Sequence, residues 1–169
     1  MQPHYNVLFI CTDNSARSIF AEAILNRKDG GHFTCYSAGA HPRGFVQPEA
    51  LRHLERSGLT TAELRSKSWD EFTVLGAPEM DFVFVLCDKA AKEPCPDWPG
   101  HPVTGHWSIP DPSLAKGTSG QIERAFAETF TMIERRISLF LALPLAQIEQ
   151  IAVRPRKKTG AAGRHRTSA

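Results

Sequence analysis

Cys11 is followed six positions later by Arg17 and then Ser18, with Thr12, Asp13, Asn14, Ser15 and Ala16 between them. A loop of small and polar residues that runs into a helix start points successive backbone amides at one spot and adds the helix's partial positive charge there. Arg17 contributes a planar fork of donors matched to two oxygens of a tetrahedral anion. Phosphate-like oxyanions are the expected guests. The same field favours the ionised form of Cys11, and a thiolate is a nucleophile. The bland alternative is a strand-end cysteine followed by a surface arginine. Context argues against it: an apolar run precedes the loop, a helical pattern follows, nothing larger than alanine is apolar within it, and Asn14 tolerates left-handed backbone.

These residues need elements to hold them. Val7-Leu8-Phe9-Ile10 reads as a strand covered on both faces. Ile19, Phe20, Ala23 and Ile24 repeat at helical spacing after the loop. His32 to Ser37 alternates as a second strand, and Pro48 opens a helix with Ala50, Leu51 and Leu54 on one face, ending near Ser57-Gly58. Met80 to Cys87 predicts a central buried strand. Residues 88–102 hold four of the twelve prolines and read as a loop. Thr104 to Ile109 reads as a final strand stopped by Pro110 and Pro112. From about Gly120, apolar residues recur every three or four positions to Leu141, and Pro144 ends or kinks that helix.

Strands alternating with helices imply an α/β fold: one three-layer domain with a central parallel four-stranded sheet and helices on both faces. Ligands of such sheets bind beyond the carboxyl ends of the strands, where Cys11 and Cys87 both fall. The expected division is a catalytic domain over 1–143, a C-terminal extension over 144–153 and a basic, disordered tail over 154–169. The net charge is +2, but the tail holds six cations and no acid, so residues 1–153 carry −4. The tail has almost no large apolar residue to offset its ordering entropy. No nucleic-acid motif occurs in the acidic body. No apolar run approaches the roughly 20 residues of a bilayer span, and residues 1–11 lack the pattern of a secretory signal. A cytoplasmic location is expected, with Cys11, Cys35, Cys87 and Cys95 reduced at rest.

Together, CTDNSARS and the later IPDPS stretch resemble the phosphate-binding loop and Asp-Pro motif of the low-molecular-weight protein tyrosine phosphatases and the arsenate reductases built on the same fold. The resemblance covers about residues 5–143. It implies Cys11 as nucleophile, Arg17 as oxyanion clamp, Ser18 as thiolate stabiliser and Asp111 as general acid, with arsenate or phosphate held by residues 12–17. A loop carboxyl flanked by prolines is suited to protonating a leaving oxygen; taken alone, Asp-Pro is an ordinary turn.

Phosphatases of this kind follow Asp-Pro with tyrosines, whereas here Ser113 and Leu114 follow. Cys87 and Cys95 in LCDKAAKEPC resemble the second and third thiols of the arsenate reductases. That resemblance implies a relay in which Cys87 attacks Cys11 and Cys95 then attacks Cys87, with Lys89 and Lys92 favouring the thiolates. Seven residues separate Cys87 from Cys95, one more than in the thioredoxin-coupled members. The reductant is therefore left open between thioredoxin and glutaredoxin or a low-molecular thiol. Expected alternatives to arsenate reductase are a phosphatase with a cysteinyl-phosphate intermediate and a non-catalytic oxyanion-binding module. Cys35 is expected to pack as a small hydrophobe, Trp107 to lie in the core and His106 to shape the pocket rim. Asn14, Glu22 and Ser37 resemble a potassium site, but Ser68 stands where a further carboxylate is needed. No metal or cofactor is assigned. No internal repeat occurs, and family members are usually monomers, so a monomer is expected.

Overall fold

The computed structural model describes residues 3–28, 30–144 and 146–148. Strand β1 (Tyr5–Cys11) leads through the Cys11–Arg17 loop into α1 (Arg17–Lys28), then β2 (Phe33–Gly39) and α2 (Pro48–Arg56). The rest comprises β3 (Phe82–Val85), α3 (Asp88–Ala91), β4 (Val103–His106) and α4 (Ser119–Leu141), with short 3-10 turns at Trp69–Phe72 and Pro112–Leu114. The sheet order is β2-β1-β3-β4, and every pairing is parallel. β1 and β3 thus occupy the centre, which is why both are continuous apolar runs: neither face meets water. Val7, Leu8, Phe9 and Ile10 have no exposed surface.

The helices cover the sheet through the stripes their sequences carry. α1 packs on β1 and β2 and against α4. α4 buries Phe126, Phe130, Ile133 and Ile137, and Thr118 and Gln121 close a reciprocal capping box at its start. Phe140 of α4 meets the rings of Phe33, Phe82 and Phe84. Because side chains alternate across a strand, Tyr36 points to the other face, where it meets Phe72 of the first 3-10 turn. The result is a three-layer α/β domain.

Several boundaries differ from the sequence reading. The strand read as Met80–Cys87 pairs only over Phe82–Val85, because Met80, Leu86 and Cys87 are apolar and buried for tertiary reasons outside the ladder. The final strand is Val103–His106 and not Thr104–Ile109, since the ladder with β3 ends at His106. The segment 88–102, read as loop throughout, begins with α3, a single turn whose amide at Ala90 is capped by the Cys87 sulfur. Trp107 is partly buried and stacks on Phe84, with Phe9 beside it. Ile148 is packed in the core; the tail over 154–169 lies outside the described residues.

Candidate active site

Cys11 ends β1 opposite Gly39, and the next five residues wrap over that glycine. A Cβ at position 39 would lie 2.7 Å from the Thr12 carbonyl oxygen and 3.0 Å from Asn14, so only glycine lets the loop lie this close to β2. The loop's carbonyls are engaged from outside. His41 donates to Thr12 O (2.8 Å), Arg43 to Asp13 O (2.9 Å) and Gln47 to Ser15 O (2.9 Å). Among the described residues, no acceptor is recorded for the amides of Thr12 to Ala16. Asn14 takes the left-handed backbone expected of it, with φ 46°. Carbonyls turned out and amides left over is the arrangement a tetrahedral anion requires.

Arg17 is fixed from two sides. Its Nη1 donates to Ile109 O at 3.0 Å, and Nη2 lies 3.6 Å from Asp111 Oδ2. Asp111 is itself positioned by Ser113, whose amide and hydroxyl donate to Oδ1 at 2.9 and 2.7 Å. Ser113 therefore holds the carboxyl through two donors. A small cavity is lined by Cys11, the loop from Asp13 to Arg17, Gln47 and Asp111. Asp13 contributes backbone only, because its carboxylate turns away to pair with Arg43 at 3.0 Å.

Cys87 is buried beside the loop, close enough to Cys11 for each thiol to shift the other's ionisation. Its sulfur also lies 3.4 Å from the Thr12 hydroxyl and accepts from the Ala90 amide at 3.4 Å. The Cys11 thiol above all, then Thr12, Ala90 and Arg17, outweigh burial and bring the Cys87 thiol down to about 5. Cys11 is pushed up by burial and by Cys87, although Arg17 and Ser18 pull the other way. The loop's field therefore acts on Cys11 in the expected direction but against burial. The two thiols are thus pushed in opposite directions, Cys11 up and Cys87 down. The lysine expectation is corrected: Lys89 and Lys92 are exposed, and the groups that favour the Cys87 thiolate are the four named.

A pH dependence follows. Ultraviolet absorbance should report one thiolate per chain at neutral pH, lost as pH falls through about 5 because Cys87 takes up a proton there. Cys11→Ser should raise that midpoint, since it alters the largest favourable contact. Absence of any thiolate signal at neutral pH would contradict the assignment.

The other sequence candidates separate. Ser18 accepts from Asn14 Nδ2 at 2.8 Å, and it acts to lower the Cys11 thiol. Cys95 is exposed on the irregular stretch after α3, apart from the buried pair. Cys35 packs within β2, and burial pushes its thiol up. His106 does not line the pocket; its Nε2 lies 3.1 Å from Asp88, the first residue of α3. Asn14, Glu22 and Ser37 do cluster beneath the loop, but the cation among them is the ammonium of Lys67. Ser68 instead caps the first 3-10 turn. Gln47 and Lys67 were not singled out in the sequence. Gln47, 6% exposed, donates through Nε2 to Ser15 Oγ at 2.9 Å. No local pattern marks either residue, because each acts on a loop more than 30 positions away.

With this geometry in place, comparison with known proteins is informative. The family model described as low molecular weight phosphotyrosine protein phosphatase matches residues 6–152. An arsenate reductase of Bacillus licheniformis is 33% identical over 134 residues, 79% of this chain and 93% of that protein. The crystal structure of arsenate reductase from Archaeoglobus fulgidus superposes with a TM-score of 0.58 at 26% identity, covering 78% of this chain and 98% of the other. A thioredoxin-dependent arsenate reductase of Corynebacterium glutamicum shares the fold, with a TM-score of 0.56 at 23% identity over 81% of this chain and 63% of that one.

Proposed function

Because the chain belongs to the low molecular weight phosphotyrosine protein phosphatase family, we propose that it turns that family's cysteine loop to the reduction of arsenate to arsenite. The observation that carries this reading is the second buried thiol, Cys87, beside the loop: its sulfur lies 3.4 Å from the Thr12 hydroxyl and accepts from the Ala90 amide, in surroundings that favour its thiolate. Hydrolysis of a phosphoester uses one sulfur. Reduction needs a second sulfur to take the first one's bond, and Cys87 is the buried thiol placed beside the loop for it.

Arsenate enters the loop with its oxygens on the amides of residues 12–16 and the fork of Arg17. As the Cys11 sulfur bonds to arsenic, its proton passes to Cys87, and Asp111 delivers a proton to the departing oxygen, which leaves as water. Cys87 then loses its proton again, with Thr12, Ala90 and Arg17 favouring the thiolate. It attacks the Cys11 sulfur. The sulfur–arsenic electron pair goes to arsenic, which falls from As(V) to As(III) and departs as arsenite, leaving a Cys11–Cys87 disulfide. Cys95 attacks Cys87 in turn and frees Cys11, so the surviving disulfide joins Cys87 to Cys95, on the exposed segment where an external dithiol or thiol can reduce it. Thioredoxin, glutaredoxin and low-molecular thiols are the candidate reductants. Among the described residues no helix is long and apolar enough to cross a membrane. We place the reaction in the cytoplasm, where the thiols stay reduced, and in a monomer.

The deciding experiment supplies arsenate with thioredoxin, thioredoxin reductase and NADPH, or with glutaredoxin and glutathione, and measures arsenite. Arsenite should accumulate over many turnovers with at least one system. No arsenite with any of them, alongside brisk cleavage of p-nitrophenyl phosphate, would favour the phosphatase. Neither activity would favour a binding module.

A further inference from the structure

Gln47 is a buried glutamine that the helix it starts does not need. It stands at the N-cap of α2, yet its side chain makes no capping bond. N-caps are normally short side chains that reach back to the helix's own amides. The Gln47 carboxamide turns the other way, to the oxyanion loop, where Nε2 donates to Ser15 Oγ at 2.9 Å. The backbone amide of Gln47 donates to Ser15 O, also at 2.9 Å. That backbone bond already secures this part of the loop, so holding Ser15 does not by itself explain the side chain.

A carboxamide nitrogen carries two protons. Ser15 takes one, and among the described residues the other meets no acceptor. Buried polar groups are normally paired, which makes the spare proton informative. Gln47 lines the small cavity together with Cys11, Arg17 and Asp111. The other carboxamide on that wall, Asn14, is fully engaged: its Nδ2 donates to Ser18 and Ser37, and its Oδ1 accepts from the backbone of Lys67. The Asp13 carboxylate is taken by Arg43. Gln47 thus brings an unused N–H to a cavity otherwise built from loop amides and a guanidinium, and an anion's oxygen is the acceptor it lacks.

We propose that Gln47 is a further binding residue for the oxyanion, its free N–H donating to an oxygen from a wall that neither the loop amides nor Arg17 forms. Being neutral, it adds a hydrogen bond without adding charge. It therefore tightens the binding of tetrahedral oxyanions as a class, with arsenate, phosphate and sulfate alike. The inference rests on the loop as an oxyanion site and not on the reduction of arsenate, so sulfate serves as the probe.

Sulfate binding to the reduced, full chain is measured by isothermal titration calorimetry. Gln47→Met is close in shape, lacks the donor and keeps the backbone bond to Ser15. Its Kd at neutral pH should rise about tenfold, the scale of one hydrogen bond to a charged group. An unchanged Kd in that variant would overturn the proposal. Gln47→Glu separates contact from support of the loop. At mildly acid pH the introduced carboxyl is protonated and can donate; as pH rises through the ordinary carboxylate range it becomes an anion beside an anion. Sulfate keeps its own charge throughout. The ratio of this variant's Kd to that of the unaltered protein should climb at least about tenfold from acid to neutral pH, and taking the ratio removes titrations common to both, the two thiols among them. A ratio that is raised but flat with pH would mark Gln47 as merely structural and overturn the proposal, and this variant decides should Gln47→Met fail to fold. Absence of sulfate binding in the unaltered protein would instead sink the oxyanion site itself, and this inference with it.

Discussion

Replacing Cys87 with serine should abolish arsenate turnover, lowering kcat by at least about a thousandfold, or roughly 4 kcal/mol. Oxyanion binding should survive. The reason is the division of labour between the sulfurs: where Cys87 is absent the Cys11 proton can pass to an arsenate oxygen and the adduct still forms at Arg17 and Asp111, but among the described residues no other buried thiol lies beside the loop to take the Cys11 sulfur from arsenic. A serine hydroxyl keeps the shape and hydrogen-bonding capacity beside Thr12 and Ala90 yet cannot form the disulfide. Arsenite quantification under multiple-turnover conditions, with arsenate protection of Cys11 against alkylation as the binding control, separates the two effects. Any p-nitrophenyl phosphate hydrolysis should persist in the variant, because that chemistry uses a single sulfur. Sustained arsenite production by Cys87→Ser would refute the relay.

The second large effect is expected at Arg17. Arg17→Lys should lower kcat/KM for arsenate by about 10²- to 10³-fold, the range seen when one preorganised donor to a developing oxyanion is removed, or roughly 3–4 kcal/mol. The charge is kept, so charge is not what is lost. A lysine has a point ammonium in place of a fork. It cannot hold Ile109 O at 3.0 Å, approach Asp111 and still face two oxygens of the anion. Steady-state kinetics test this directly, and a variant within about threefold of the original would show that charge alone suffices. Since Arg17 also touches the general acid, the loss should fall on kcat as well as on KM.

How far these residues could be read from the chain depends on the distance over which each one works. Cys11 and Arg17 are legible because the loop is local: five small residues between a buried strand and a helix leave few other conformations, and the helix start supplies the field wherever the segment is placed. Asp111 is legible through its prolines and the resemblance they complete. Cys87 is legible as a strand-end thiol, because parallel sheets send every strand's carboxyl end to the same edge. α3 was not legible, because a single turn has no periodicity to detect and stands only because the Cys87 sulfur caps it and Asp88 ties it to His106 and Ser108. Gln47 and Lys67 were not legible either. Their partners Ser15, Asn14 and Glu22 lie on other elements, and nothing in a stretch such as RSKSW marks its lysine as buried.

By itself, then, the chain's order of residues determined the parallel sheet and the cysteine loop at its edge, because apolar runs, turn residues and helix stripes act over a few positions. Only the tertiary structure decided where the protons sit. Burial opposes charge on Cys11, the surroundings of Cys87 favour its thiolate, and the Lys67 ammonium lies buried beside Glu22 and Ser37 beneath the loop. Such energies depend on what lies within a few ångströms in space, and spacing along the chain does not contain that information.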